Sequence, residues 1–217
     1  MPAPRYELVI GDKSTSSWSL RPWIAMKRLG LPFSEINIRL RQPDTKSRIL
    51  EHSPAGKVPA LKVGDEVVWD SLAILEYLAD VHGGLWPEER EPRAIARAVS
   101  AEMHSGFRAL RDHCPMEFLA RAPKVSLPDT VEADVRRIIA SWRVVRGRYG
   151  RSGSFLFGDF TAADAMYAPV ASRFRTYLPD LERYGDDGAA QAYVEAMFAT
   201  PEMAAWGEDA RAELARR

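Results

Sequence analysis

Residues 52–80 read HSPAGKVPALKVGDEVVWDSLAILEYLAD, and the fold turns on how this stretch is parsed. Gly56-Lys57-Val58-Pro59 leads into the apolar run Ala60, Leu61 and Val63, and Gly64-Asp65 separates that run from Val67-Val68-Trp69. A pair of this type between two strand-like runs marks a tight hairpin. Asp70-Ser71 then opens a segment in which Leu75, Leu78, Ala79 and His82 recur at helical spacing, and Gly83-Gly84 stops it. Pro59 cannot donate to a ladder, so it marks the entry of its strand, and an X-Pro bond there can be cis. A cis bond would turn the backbone N–H and C=O of Val58 outward, where an extended peptide can pair as an added strand. Asp70 and Ser71, at a helix N-terminus, would offer backbone N–H groups, a hydroxyl and a favourable dipole to a carboxylate. Each feature alone also has a purely structural reading, the proline as punctuation and Asp-Ser as an N-cap. Their order and spacing, with Lys57 beside the proline, point to a site for a short acidic peptide.

Working outward, residues 6–10 form a short apolar run between Pro4 and Gly11 and are expected to be a buried strand. After the loop GDKSTSS, Leu20, Trp23 and Ile24 share a helical face, which Gly30 and Pro32 terminate. Ile36, Ile38 and Leu40 alternate with Glu35, Asn37 and Arg39, the pattern of a half-buried strand. The order is strand, helix, strand, a segment holding Pro43 and Pro54, hairpin, helix, which matches a thioredoxin-like module. Residues 83–92, GGLWPEEREP, concentrate glycine, proline and charge and read as a domain linker. Beyond them the period is helical. Ile95, Val99, Met103, Phe107, Leu110 and Cys114 make one stripe, and Val131, Val135, Ile138, Trp142, Val145 and Tyr149 another. Phe160-Thr161-Ala162-Ala163-Asp164 reads as a capping box with Phe160 in the staple position. The expected fold class is an α/β thioredoxin-like N-terminal domain over 1–82, a linker over 83–92 and an all-α C-terminal domain over 93–217.

Composition narrows the function classes. The chain has 217 residues, 46% of them hydrophobic, enough for substantial cores. Thirty basic residues balance thirty acidic ones, which leaves no electrostatic footprint for nucleic acid or an anionic membrane. No apolar run approaches the ~20 residues of a membrane span, and MPAPRYELVI lacks the features of a signal peptide. One cysteine, Cys114, excludes an internal disulfide and a cysteine-rich metal site, and no His or carboxylate set has metal spacing. A reducing cytoplasm is the expected compartment.

Lys57-Val58-Pro59-Ala60-Leu61, followed by Trp69-Asp70-Ser71-Leu72-Ala73-Ile74 and Tyr77-Leu78, resembles the glutathione-binding half of the glutathione S-transferase family. The resemblance implies that Val58, before a cis Pro59, pairs with the cysteinyl backbone of glutathione. It also implies that Asp70 and Ser71 hold the γ-glutamyl end and that Lys57 reaches the glycine carboxylate. The capping box extends the resemblance into the second domain. The segment Ser16-Ser17-Trp18-Ser19-Leu20-Arg21 is similar to the Ser-Ser-Cys-Ser-x-Arg motif of zeta-class members, with Trp18 where the cysteine stands. By that resemblance Ser16 activates the thiol, with Ser17 as its neighbour, and Trp18 lines the glutathione site. Loss of the cysteine argues against carrying over maleylacetoacetate isomerisation.

The need for such a residue is physical. A free thiol of pKa ~8.5 is only a few per cent ionised at neutral pH, and a hydroxyl donor at a helix N-terminus favours the anion. Tyr6 lies at the start of its strand, and Cys114 falls on an apolar stripe, so neither competes. His104, Arg108 and Arg111 share a helical face and are candidates to line an acceptor pocket, as is Arg173 on a later helix beside Arg175 and Tyr177. A solvated basic face is their structural alternative. The expected activity is that of a glutathione S-transferase acting on a small electrophile, with glutathione as co-substrate and no metal. A homodimer is implied by the family. A glutathione-dependent peroxidase or isomerase, and a non-catalytic docking module, are the alternatives.

Overall fold

The computed structural model describes residues 6–124 and 126–216. Pro4, expected to bound the first strand, lies outside them. The first half runs β1 (Tyr6–Gly11), α1 (Ser17–Arg28), β2 (Phe33–Ile38), α2 (Thr45–Leu50), β3 (Ala60–Val63), β4 (Glu66–Val68) and α3 (Ser71–His82). The strands form one sheet in the order β2-β1-β3-β4, with β1 parallel to β2 and antiparallel to β3, and β3 antiparallel to β4. Leu61 pairs with Val68 and Val63 with Glu66 across Gly64-Asp65, where Gly64 takes the positive φ of 60° that glycine accepts without a Cβ penalty.

Apart from Glu7, β1 is apolar because both of its faces are covered. Tyr6, Leu8 and Ile10 join the main core with residues of α1 and α3, while Val9 packs with Ile38, Ile49 and Ala60 beneath α2. Two expectations are corrected in this half. β2 ends at Ile38, so Leu40 lies beyond the strand. The Pro43 to Pro54 segment contains α2, a helix with Ile49 as its one buried residue and hence no apolar stripe to announce it.

The second half is α4 (Arg90–Ser105), α5 (Arg108–His113), α6 (Asp129–Tyr149), α7 (Ala162–Tyr177), a 3-10 turn (Glu182–Tyr184), α8 (Ala189–Phe198) and α9 (Pro201–Ala215). The single stripe expected from Ile95 to Cys114 is divided between α4 and α5. The chain breaks at Gly106, where an added Cβ would meet the Glu102 carbonyl oxygen at 2.7 Å, and at Phe107, whose φ is 55°. Met103, Phe107, Leu110 and Cys114 nevertheless share one core, so the period was right and its continuity was not. Nor is this half helical throughout, since bridges pair Phe155 with Gly158 and Phe157 with Asp159.

α7 is the centre of the molecule. Every residue from Ala162 to Tyr177 except Arg175 is buried, and α1, α4 and α8 pack against it. Its small residues, Ala162, Ala163, Ala165, Ala168 and Ala171, bring those helices close. One core therefore runs from β1 to α9, and helix packing across it sets α4 beside the N-terminus of α3. Among the described residues no helix is long and apolar enough to cross a membrane.

Candidate active site

Between the serine loop, the β3 entry and the start of α3 lies a cavity of about 520 Å³, lined by Trp18, Ala55, Lys57, Val58, Pro59, Trp69, Asp70, Ser71 and His104. Each wall has a local cause. The Val58–Pro59 peptide is cis, and both residues face the cavity at the mouth of β3. Asp70 is the N-cap of α3: its Oδ1 accepts from the N–H groups of Leu72 at 3.1 Å and Ala73 at 3.5 Å. Its Oδ2 lies 3.1 Å from His104 Nε2, so one carboxylate both caps a helix and bridges to the second half of the chain.

Ser71 begins α3, is fully buried, and its hydroxyl has no hydrogen-bond partner among the described residues. A buried hydroxyl left unsatisfied costs free energy. Here it lines a cavity at a helix N-terminus, beside a carboxylate and with Lys57 lining the same cavity. These residues fit an amino-acid-like ligand end, which has a carboxylate for the hydroxyl and helix dipole and an ammonium for Asp70.

The serine loop enters α1 at Ser17. Ser19 Oγ accepts from the Gly11 N–H at 3.1 Å and lies 2.7 Å from Ser16 Oγ. With Ser19 donating to Ser16, the Ser16 hydroxyl keeps its own proton for another acceptor. Ser17 Oγ accepts from Arg173 Nη2 at 3.3 Å and likewise retains a proton to give. Both hydroxyls are buried just behind Trp18 in sequence and are not among the residues lining the cavity. Trp18 does line it, edge-on to His104 with ring centroids 5.3 Å apart.

Of the four residues considered for an acceptor pocket, only His104 lines this cavity. Arg111 stands behind Trp18, its guanidinium 5.7 Å from the ring centroid, and donates to the Gly106 carbonyl. Arg173 is buried and binds the carbonyls of Cys114 and Pro169 as well as Ser17, and burial holds its pKa down at about 10. Arg108 is 86% exposed and pairs with Asp112. Cys114 is buried, which pushes its thiol pKa up, and Tyr6 hydrogen-bonds His82 with burial raising its phenol to about 12. Among the described residues no group of three or more His, Cys, Asp or Glu is placed to hold a metal ion.

Sequence reasoning missed two features here. Trp69, nearly half exposed, forms part of the rim, and Arg21 lies beneath Trp18 with its guanidinium 4.0 Å from the ring centroid. A signal for the second existed, because Arg21 shares a helical face with Ser17, Ile24 and Ala25.

A thioredoxin-like sheet with a cavity at a cis-proline, closed by a helical half, is the architecture shared with solved glutathione transferases. The family model for the glutathione S-transferase N-terminal domain matches residues 15–81, and that for the C-terminal domain matches residues 128–206. A probable maleylacetoacetate isomerase of Caenorhabditis elegans is 30% identical over 182 residues, covering 79% of this chain and 80% of that protein. A zeta-class glutathione S-transferase of Euphorbia esula is 28% identical over 159 residues, covering 72% of this chain and 69% of that one. Among solved structures, a glutathione transferase homologue from Burkholderia with bound glutathione superposes with a TM-score of 0.70 at 23% identity, covering 95% of this chain and 98% of that one. The chain belongs to the glutathione S-transferase family, enzymes whose co-substrate is glutathione, and it is zeta-like within that family.

Proposed function

We propose that this protein binds glutathione in the cavity at the α3 N-terminus and activates its thiol as a thiolate for attack on a small electrophilic acceptor. The observation that carries the reading is the buried, unpartnered Ser71 hydroxyl beside Asp70, lining the same cavity as Val58 and Pro59. Residues 1–82 form the glutathione-binding unit and 93–217 supply the acceptor wall, joined by 83–92. The γ-glutamyl end is held by Asp70 and Ser71, the cysteinyl backbone pairs with Val58 before Pro59, the glycine carboxylate meets Lys57, and Trp18 packs beside the sulfur.

Ser16 donates to the sulfur, with Ser17 next to it. The step is simple: the thiol proton leaves to water, the electron pair stays on sulfur, and the hydroxyl and the α1 N-terminus stabilise that charge. His104 and Arg111, near Trp18, face the acceptor side. The protein works as a cytoplasmic homodimer, as the family resemblance implies, and sedimentation tests the dimer. Calorimetric titration with glutathione tests the whole reading. Saturable binding is expected, and its absence overturns the reading in favour of a docking module.

A second reading has its own support: several relatives, including the nematode protein, are named maleylacetoacetate isomerases. A glutathione-dependent cis–trans isomerase would use the same thiolate, adding it to a conjugated double bond and releasing it after rotation. Trp18 at the motif's cysteine position weighs toward transfer. Parallel assays with a conjugated cis-enone and an aryl halide separate the two.

A further inference from the structure

Arg21 is 1% exposed, and its Nε and Nη1 find no hydrogen-bond partner among the described residues. It forms no ion pair there either. A buried guanidinium without a counter-ion is costly and ordinarily selected against. The charges that reach it make the position worse: Arg173 on α7 and Arg111 on α5 repel it, and only Asp70, with a weaker contribution from the Tyr167 phenol, acts in its favour. Burial and those two arginines pull its pKa well below the ordinary arginine value.

Among the described residues Asp70 makes neither a hydrogen bond nor an ion pair with Arg21: its Oδ1 accepts from the Leu72 and Ala73 N–H groups and its Oδ2 lies against His104. The negative charge that Arg21 lacks must therefore arrive with the ligand. Glutathione brings three candidates. Its two carboxylates belong at Ser71 and Lys57, on the β3 and α3 walls. Its sulfur belongs beside the serine loop, and Arg21 follows Ser17 by one turn of α1, its guanidinium stacked on the Trp18 ring that lines the cavity.

We propose that Arg21 is the buried counter-charge of the glutathione thiolate, a positioning residue that acts by its field through Trp18 rather than by touching the sulfur. This inference rests on the glutathione reading above. The fixed charge lies in a water-poor region where its field is weakly screened and needs no reorganisation when the sulfur ionises. Ionisation breaks the S–H bond, leaves the electron pair on sulfur and passes the proton to water.

The test is ultraviolet difference absorbance of the bound thiolate against pH in wild type and Arg21→Met, with S-methylglutathione affinity as the control that lacks an ionisable thiol. In Arg21→Met the bound thiol pKa is expected to rise by about one unit, lowering the thiolate-to-thiol ratio at a given pH about tenfold. S-methylglutathione affinity should stay within about twofold, and the melting temperature should hold or rise as an unpaired buried charge is removed. Arg21→Gln serves as a second folded variant with the same expectation. A thiol that titrates as in wild type overturns the proposal, and a lowered melting temperature with no thiol shift makes Arg21 a packing residue. Wild type that binds glutathione without lowering its thiol pKa also overturns it while leaving the binding reading intact. Failure to bind glutathione overturns both.

Discussion

Ser71 and Ser16 divide binding from activation. Ser71 has an unused hydroxyl at a helix N-terminus, so Ser71→Ala should weaken glutathione binding by roughly 1.5–3 kcal/mol through loss of a charge-assisted hydrogen bond. Unchanged affinity by calorimetry removes it from the γ-glutamyl site. Ser16 is tied to Ser19 and, through it, to the Gly11 N–H, which orients its hydroxyl. Ser16→Ala should leave affinity within about twofold and lower turnover by about 10²-fold, the scale of losing one donor to a developing anion. If Ser17→Ala does that damage instead, the donor is the hydroxyl oriented by Arg173. At this scale the candidate site was legible where its chemistry is local: Asp70-Ser71 and Val58-Pro59 announce themselves through a cap and a strand entry. The Asp70 to His104 bridge was not legible, because residues 34 positions apart meet only after two helices have packed.

Capping boxes and helix breaks operate at the scale of the element. Asp164 is fully buried and accepts from the Leu156 and Thr161 N–H groups, the Thr161 hydroxyl and the Tyr193 hydroxyl at 2.8–3.0 Å. It closes the box that starts α7 and also anchors the 155–159 bridges and α8. Burial outweighs those bonds and raises its pKa. Asp164→Ala leaves four donors unsatisfied beneath the central helix and should cost about 3 kcal/mol, read as a fall of roughly 6–12 °C in melting temperature. An unchanged midpoint would reduce the box to a local feature. Thr161-x-x-Asp164 was readable as a cap because capping depends on residues three apart. The division of α4 from α5 was not, since Phe107 and Leu110 keep the apolar period across a backbone that leaves the helix at Gly106.

Across the whole molecule, one buried lysine in the loop after β1 ties α9 to β2. Lys13 Nζ pairs with Asp209 at 2.5 Å and Glu35 at 2.7 Å, and the Lys13 carbonyl accepts from Trp206 Nε1 at 2.8 Å. The Lys13 side chain is 4% exposed while that of Asp209 is 51% exposed, so the pair with Glu35 carries more of the weight. Lys13→Met should cost about 2–3 kcal/mol, below the roughly 3–5 kcal/mol of breaking a fully buried pair because Asp209 stays solvated. Chemical denaturation followed by Trp fluorescence measures it, and a loss below about 0.5 kcal/mol would make the contact a surface pair.

The residues alone determined the strand, helix, strand, hairpin, helix order, most of the helical second half and the Pro59 strand entry and Asp70 cap that line the cavity, because hydrophobic period, turn glycines and caps act within a few residues. Only the tertiary structure decided which charges face one another: Arg21 beneath Trp18, His104 on Asp70, Lys13 against α9. Those contacts join elements far apart in sequence, and their energies depend on burial, which exists only once the core around α7 has closed.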